Sequence, residues 1–180
     1  MLREFKQVTA ELNSVESDLT DEKAQQILEM IFSANRIFLS GEGRSGLMVK
    51  AFANRLTQMG LLVHVVTEIT APAITKNDLL IFNSASGSSS FLIAQSKSAR
   101  KQKAKILTFT AATDSALSKN SDLVVRINTQ SKDQIGNSVQ PMGSLFEQTS
   151  LLLFDCLSLK ALNEHIVTST SLRSTHSNLE

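Results

Sequence analysis

Two turns rich in glycine and serine, together with one carboxylate, hold most of the chemistry that this sequence can perform. The first turn, Gly41-Glu42-Gly43-Arg44-Ser45-Gly46, lies between the apolar run RIFLS and the helix-like LMVKAFANRL. Its spacing satisfies G-x-G-x-x-G, in which glycines let a backbone approach a pyrophosphate. Glu68 follows the next apolar run at about the distance of an acid that binds a ribose. Two features oppose a dinucleotide. The helical pattern of residues 1–35 precedes the motif, and Arg44 and Ser45 put a cation and a hydroxyl where a pyrophosphate leaves little room.

The second turn, NSASGSSS, sets Ser84, Ser86, Ser88, Ser89 and Ser90 around Gly87, directly before a helical pattern that begins near Ser89. Hydroxyls beside the unsatisfied N–H groups of a helix N-terminus form an anion site that suits one phosphate monoester. By itself the stretch reads equally as a serine-rich turn with an N-cap. A glycine turn at a neighbouring strand end shifts the balance toward phosphate.

Glu147 is the carboxylate. It stands in the first turns of the apolar segment GSLFEQTSLLLFDCL, after the turn QPMG. A carboxylate so placed can act as a general base toward a ligand at the strand ends. The competing reading is a carboxylate that only answers the helix dipole. Of the three histidines, His64 falls mid-strand and reads as core. His165, after a long helix, reads as a solvated partner of its C-terminal dipole, and His176 lies in the polar tail TSTSLRSTHSNLE. That tail is Ser/Thr-rich, and composition alone predicts disorder.

The scaffold that must position these groups shows in a change of period. Residues 1–15 and 20–35 repeat apolar side chains at helical spacing, and Asp21 and Glu22 sit where a helix dipole favours them. From Arg36 onward come short apolar runs: RIFLS, LLVHVV, DLLIFNS, AKILTFT and DLVVRI. None alternates cleanly, so each reads as a strand covered on both faces. Helical segments separate them, over Leu47 to Gly60, Ser89 to Gln102 and Ser115 to Lys119, and a last one spans Met142 to Leu162. Strands alternating with helices imply right-handed crossovers and a parallel sheet of about five strands. Ligands in such sheets bind outside the carboxyl ends of the strands, where both turns fall.

At 180 residues and a net charge of +1, the chain reads as one domain without a nucleic-acid surface. Its tightest basic cluster, Arg100, Lys101, Lys103 and Lys105, reads as the solvated end of a helix. The N-terminus lacks a signal-peptide core, and the apolar run near the C-terminus is broken by Asp155, short of a membrane span. The single cysteine, Cys156, excludes an internal disulfide, fits a reducing cytoplasmic compartment and reads as a buried structural thiol. No metal-ligand spacing accompanies it.

GEGRSGLMVKAFANRL, EITAPAI, SASGSSS, QPMGSLFEQ and the terminal THSNLE follow one another over nearly the whole chain. In that order they resemble the 6-phospho-3-hexuloisomerases of the sugar isomerase (SIS) domain family, and the last two motifs are specific to that branch. The resemblance implies a three-layer α-β-α sandwich with a five-stranded parallel sheet, assembled as a homotetramer, with neither cofactor nor metal. One SIS domain then spans residues 1–180, with N-terminal helices over 1–35, an α/β core over 36–165 and a tail over 166–180. The implied activity interconverts D-arabino-3-hexulose 6-phosphate and D-fructose 6-phosphate through an enediol. With a hexulose-phosphate synthase, that step fixes formaldehyde in the ribulose monophosphate pathway.

Carried over residue by residue, the resemblance puts Gly43, Arg44, Ser45, Ser84, Ala85, Ser86, Gly87, Ser88 and Ser89 around the substrate and makes Glu147 the proton acceptor. His176, in a terminal His-x-Asn-Leu-Glu, then closes over a site, its own or a neighbouring subunit's, and protonates or polarises a sugar oxygen. Arg44 either neutralises phosphate or anchors its loop by an ion pair with Glu42 or Glu68. Gln140 either bonds a sugar hydroxyl or serves the turn before Pro141. Where the family's second loop reads Ser-Gly-Ser-Gly-Glu-Thr, this chain has Ala85 for a glycine and Ser88 for the glutamate. Ala71 stands in place of a threonine, and SKDQIGNSVQ is a few residues short. The lost carboxylate and glycine motivate an alternative, a phosphosugar-binding SIS module without turnover. A dinucleotide oxidoreductase, resting on GEGRSG and Glu68, is the third reading.

Overall fold

The structure, a computed structural model, describes residues 1–129, 138–176 and 178. Helices α1 (Arg3–Asn13) and α2 (Asp21–Ser33) come first, then β1 (Ile37–Ser40), α3 (Gly43–Gln58), β2 (Val63–Val65) and β3 (Leu79–Asn83). They are followed by α4 (Ser90–Lys101), β4 (Lys105–Thr110), α5 (Ala116–Lys119), β5 (Leu123–Arg126), α6 (Ser144–Asn163) and α7 (Ser169–Ser174). All five strands pair in parallel, in the order β2-β1-β3-β4-β5. The short connection read in SKDQIGNSVQ lies, up to Gly136 and Asn137, outside the described residues.

The unbroken apolar runs have the expected cause, since helices cover both faces of the sheet. Ile37, Leu39, Leu79, Ile81, Leu107, Phe109 and Val125 join the buried faces of α2, α3 and α6. Phe38, Leu80, Phe82 and Ile106 point the other way, to Leu92 and Ala99 of α4 and Leu117 of α5. Within the larger layer, Phe154 of α6 stacks on Phe52 of α3 with ring centroids 4.5 Å apart. It also meets Phe109 of β4 edge-on at 4.9 Å. Each such pair contributes about 0.5–1.5 kcal/mol beyond area burial and sets α6 across the sheet against α3.

The strand order creates a switch point. From β1 the chain passes to β2 on one side, whereas β3, β4 and β5 extend the sheet on the other. The turns leaving β1 and β3 therefore open side by side at the carboxyl edge, the crevice where such sheets bind ligands.

Three features differ from the sequence reading. Helix α3 starts at Gly43, a turn before Leu47, so Arg44 and Ser45 are helical and not part of a loop. Apolar periodicity begins at Leu47 and carries no signal for the polar turn that precedes it. The tail is not disordered through residue 176: Thr168 and Ser171 form a capping box for α7, and Leu172 packs on the core. Composition does not register such reciprocal caps. Cys156 is exposed, against the expected burial. Helix α6 is apolar nearly all round, and among the described residues its outward face, Leu152, Cys156 and Leu159, is exposed.

At the opposite edge of the sheet, Arg36 reaches Asp78 at 2.8 Å and 3.1 Å, and Thr75 donates to Asp78 from both its N–H and its hydroxyl. This buried carboxylate clamps the starts of β1 and β3 and takes no part in the site.

Candidate active site

The glycine turn packs on itself. A methyl group at Gly46 would stand 2.5 Å from the Gly41 carbonyl oxygen, and one at Gly41 would stand 2.9 Å from the Asn83 carbonyl oxygen of β3. These glycines let α3 begin hard against the end of β1, a demand met inside the protein without any ligand. Gly87 in the second turn has φ +58, and a side chain there would collide with the Ser115 hydroxyl.

The serine turn is ordered by its own hydroxyls. Ser84 Oγ accepts from the Gly87 N–H at 3.2 Å, and Ser86 Oγ accepts from the Ser88 hydroxyl at 2.9 Å. Ser89 is the N-cap of α4, its Oγ accepting from the Leu92 N–H at 3.2 Å. No acidic residue of α4 itself lies in its first turn, although the Glu42 carboxylate reaches its N-cap from the glycine turn. Between the two turns is a cavity of about 190 Å³ lined by Glu42, Ser45, Asn83, Ser84, Ala85, Ser86, Ser89 and Leu92.

Five of the residues expected around a substrate, Ser45, Ser84, Ala85, Ser86 and Ser89, are thus brought together. Gly87 and Ser88 complete the turn beside them. Gly43 and Arg44 form the first turn of α3, outside the cavity lining.

Glu147 lies in the first turn of α6 and is only 2% exposed. Arg44 Nη1 reaches its Oε2 at 2.8 Å, so the partner of Arg44 is neither Glu42 nor Glu68. The Arg44 side chain is 46% exposed, and its planar fork keeps donors for a second anion. The carboxylate is not part of the cavity lining, but the main chain of its helical turn is tied through Ser150 to Asn83, which is. Asn83 Nδ2 donates to the Ser45 carbonyl at 3.1 Å and to Ser150 Oγ at 3.0 Å. Ser150 in turn donates to the Glu147 carbonyl at 2.9 Å. One amide at the end of β3 therefore sets the start of α3 and the turn of α6 that carries Glu147.

Asn83 and Ser150 went unmarked in the sequence, and Glu42 was weighed only as an ion-pair partner. A signal existed for Asn83, because a polar residue closing the apolar strand LLIFN must find partners once buried.

Two expected residues lie elsewhere. Gln140 donates its amide to Glu11 Oε2 at 3.0 Å, and the Val139 N–H bonds Glu11 Oε1 at 2.9 Å. It serves the turn into α6 by pinning it to α1. His176 is exposed beyond α7, next to Thr175, whose hydroxyl donates to the Gln58 carbonyl at the far end of α3. At about 1.5 Å per residue, α3 separates Gln58 from Ser45 by roughly 20 Å. Within one chain His176 does not reach the cavity. Among the described residues no group of His, Cys, Asp and Glu is arranged to hold a metal ion. Nor is any helix among them long and apolar enough to cross a membrane.

The SIS domain family matches residues 30–154 of this chain. The 3-hexulose-6-phosphate isomerase of Bacillus subtilis is 38% identical over 177 residues, covering 97% of this chain and 96% of that protein. The 3-hexulose-6-phosphate isomerase of Mycobacterium gastri is 34% identical over 182 residues, 96% of this chain and 92% of that protein. Among solved structures, a Methanococcus jannaschii protein with an inferred function of 3-hexulose-6-phosphate isomerase superposes with a TM-score of 0.83. It shares 25% identity, over 99% of this chain and all of that one (100%).

Proposed function

This chain belongs to the SIS domain family, and from that premise we propose that it is a phosphosugar isomerase interconverting D-arabino-3-hexulose 6-phosphate and D-fructose 6-phosphate. The observation that carries the reading is that Asn83, at the head of the serine turn, ties the start of α3 to the turn of α6 from which the buried Glu147 projects.

The phosphate sits at the N-terminus of α4, among the Ser84 and Ser86 hydroxyls and the backbone N–H groups of the turn. The carbon chain extends toward α3 and α6. Glu147 removes the proton on C2, the electrons form the C2–C3 double bond, and the C3 oxygen becomes an enediolate. Arg44 turns the donors it keeps free of Glu147 toward that oxygen as charge develops. Glu147 then returns its proton to C3 while the C2 hydroxyl proton passes to the C3 oxygen, so that C3 becomes the secondary alcohol and the carbonyl now lies at C2.

We place the enzyme in the cytoplasm as a homo-oligomer, a tetramer by family resemblance. Exposed apolar side chains support self-association: Leu2 (70%) and Phe5 (54%) on and beside α1, and Leu152 and Leu159 on α6. In such an assembly the tail that closes over a site, with His176 as its polar group, is contributed by another copy.

A coupled assay that makes hexulose 6-phosphate in situ and follows fructose 6-phosphate tests the reading. Glu147→Gln keeps the shape and removes the base, so turnover falls by about 10²–10⁴-fold or more. Turnover within tenfold of the unaltered protein would remove Glu147 from the mechanism. The burial of Glu147 outside the cavity lining favours a second reading, a module that binds phosphosugar without turnover. Fructose 6-phosphate binding with no isomerisation at any pH selects it.

A further inference from the structure

Glu42 stands at the N-cap position of α3, but its side chain makes no capping hydrogen bond there. The carboxylate instead crosses the crevice and accepts the hydroxyl proton of Ser89. Ser89 Oγ meanwhile accepts from the Leu92 N–H, so its single proton is committed to Glu42. A carboxylate therefore lines the same cavity as the hydroxyls and the helix N-terminus that attract an anion. An anion cradle gains nothing from this arrangement. A phosphate taking the Ser89 proton at hydrogen-bond distance would lie within about 5–6 Å of Glu42, close enough for repulsion to weaken binding by roughly tenfold.

The arrangement does serve a ligand that brings hydroxyls as well as phosphate. A hydroxyl on the carbon chain donates to Glu42 in place of Ser89, and Ser89 is released to donate to the phosphate. We propose that Glu42 is a specificity-determining residue, the acceptor that makes this pocket select polyhydroxylated phosphate esters over simple alkyl phosphates. This rests on the phosphosugar reading above. It also gives the pocket a carboxylate from the first turn, where the second turn has Ser88.

The test is titration calorimetry at pH 8 of the unaltered protein, Glu42→Gln and Glu42→Ala with fructose 6-phosphate and with methyl phosphate. Both ligands are then dianions, and methyl phosphate has no hydroxyl to donate. Gln removes the charge and keeps an acceptor, whereas Ala removes both. Methyl phosphate binds roughly tenfold more tightly to either variant, because the repulsion is gone. Fructose 6-phosphate loses its hydroxyl acceptor in Glu42→Ala, which offsets the relief of repulsion, so it binds that variant no more tightly than the unaltered protein and more weakly than Glu42→Gln. The preference for the sugar phosphate therefore falls at least tenfold in Glu42→Ala, with unfolding temperatures unchanged. A preference within twofold of the unaltered protein in both variants, or a larger one, overturns the proposal. If the unaltered protein fails to bind fructose 6-phosphate, the phosphosugar reading itself falls and takes this proposal with it.

Discussion

Gly46→Ala decides whether the glycines of the 41–46 turn answer to the protein's own packing or to a ligand. The added methyl would stand 2.5 Å from the Gly41 carbonyl oxygen and 3.0 Å from its carbon. Both are backbone atoms that cannot rotate aside. Carbon and oxygen in contact settle at about 3.3 Å, so the turn must open by roughly 0.8 Å. Overpacking costs about 1–3 kcal/mol where side chains can adjust, and a backbone clash belongs at the upper end. Alanine returns about 0.8–1.0 kcal/mol of helix propensity, because position 46 lies inside α3. The net loss is about 2 kcal/mol, or roughly 4–8 °C in unfolding temperature for a chain of this size. Opening the turn also moves Ser45, so affinity for fructose 6-phosphate falls several-fold in the same variant. Gly60→Ala is the control. It has φ +84 with nothing within 4 Å of the new methyl, so it carries backbone strain alone. That costs about 1 kcal/mol, roughly 2–4 °C, with ligand affinity unchanged. Calorimetric unfolding and ligand titration of both variants give the answer. Gly46→Ala melting within a degree of the unaltered protein while losing affinity would refute the packing argument and return the glycine to the ligand.

Two further outcomes follow from groups outside the cavity. Burial raises the Asp78 carboxyl, but hydrogen bonds from Arg36 and Thr75 outweigh it and hold the group below the usual carboxylate range. A depressed carboxylate stabilises the fold above the unfolded value, about 3.9, and that contribution is lost as pH falls through the lower folded value. Asp78→Asn is therefore less stable than the unaltered protein at pH 7, and the gap in unfolding temperature narrows below about pH 4; a gap that stays constant down to pH 3 refutes the linkage. The shared site is tested by co-expressing Glu147→Gln with His176→Ala. If a tail from another copy completes each site, about a quarter of the sites in mixed oligomers recover both groups, and activity reappears that neither variant shows alone. Mixed oligomers without activity would sink the shared site.

The elements were largely legible because each announces itself locally. Residues 37–40, 79–83 and 105–110 are apolar enough to declare strands covered on both sides, and Thr20 with Asp21 and Glu22 marks the start of α2. What escaped lacked a local periodic signal. The first turn of α3 is polar, α7 depends on reciprocal Thr168–Ser171 bonds, and the exposed Cys156 face of α6 is as apolar as its buried face. The site was legible as an inventory of groups but not as a set of contacts. Asn83 reads as one polar residue at a strand end until burial makes its amide the link between α3 and α6.

From its sequence alone this protein has a glycine turn and a serine turn at strand ends, a carboxylate at a helix start and an alternation that demands a parallel sheet. Those follow from side-chain type and period, which act over a few residues. The tertiary structure decided which groups meet. Arg44 meets Glu147 across 103 residues and Glu42 meets Ser89 across 47, because β1 and β3 are neighbours and Phe154 seats α6 against α3. Local period carries no information about pairings over such separations; strand order and helix packing set them. The same packing keeps His176 from its own cavity, since α7 docks at the far end of α3.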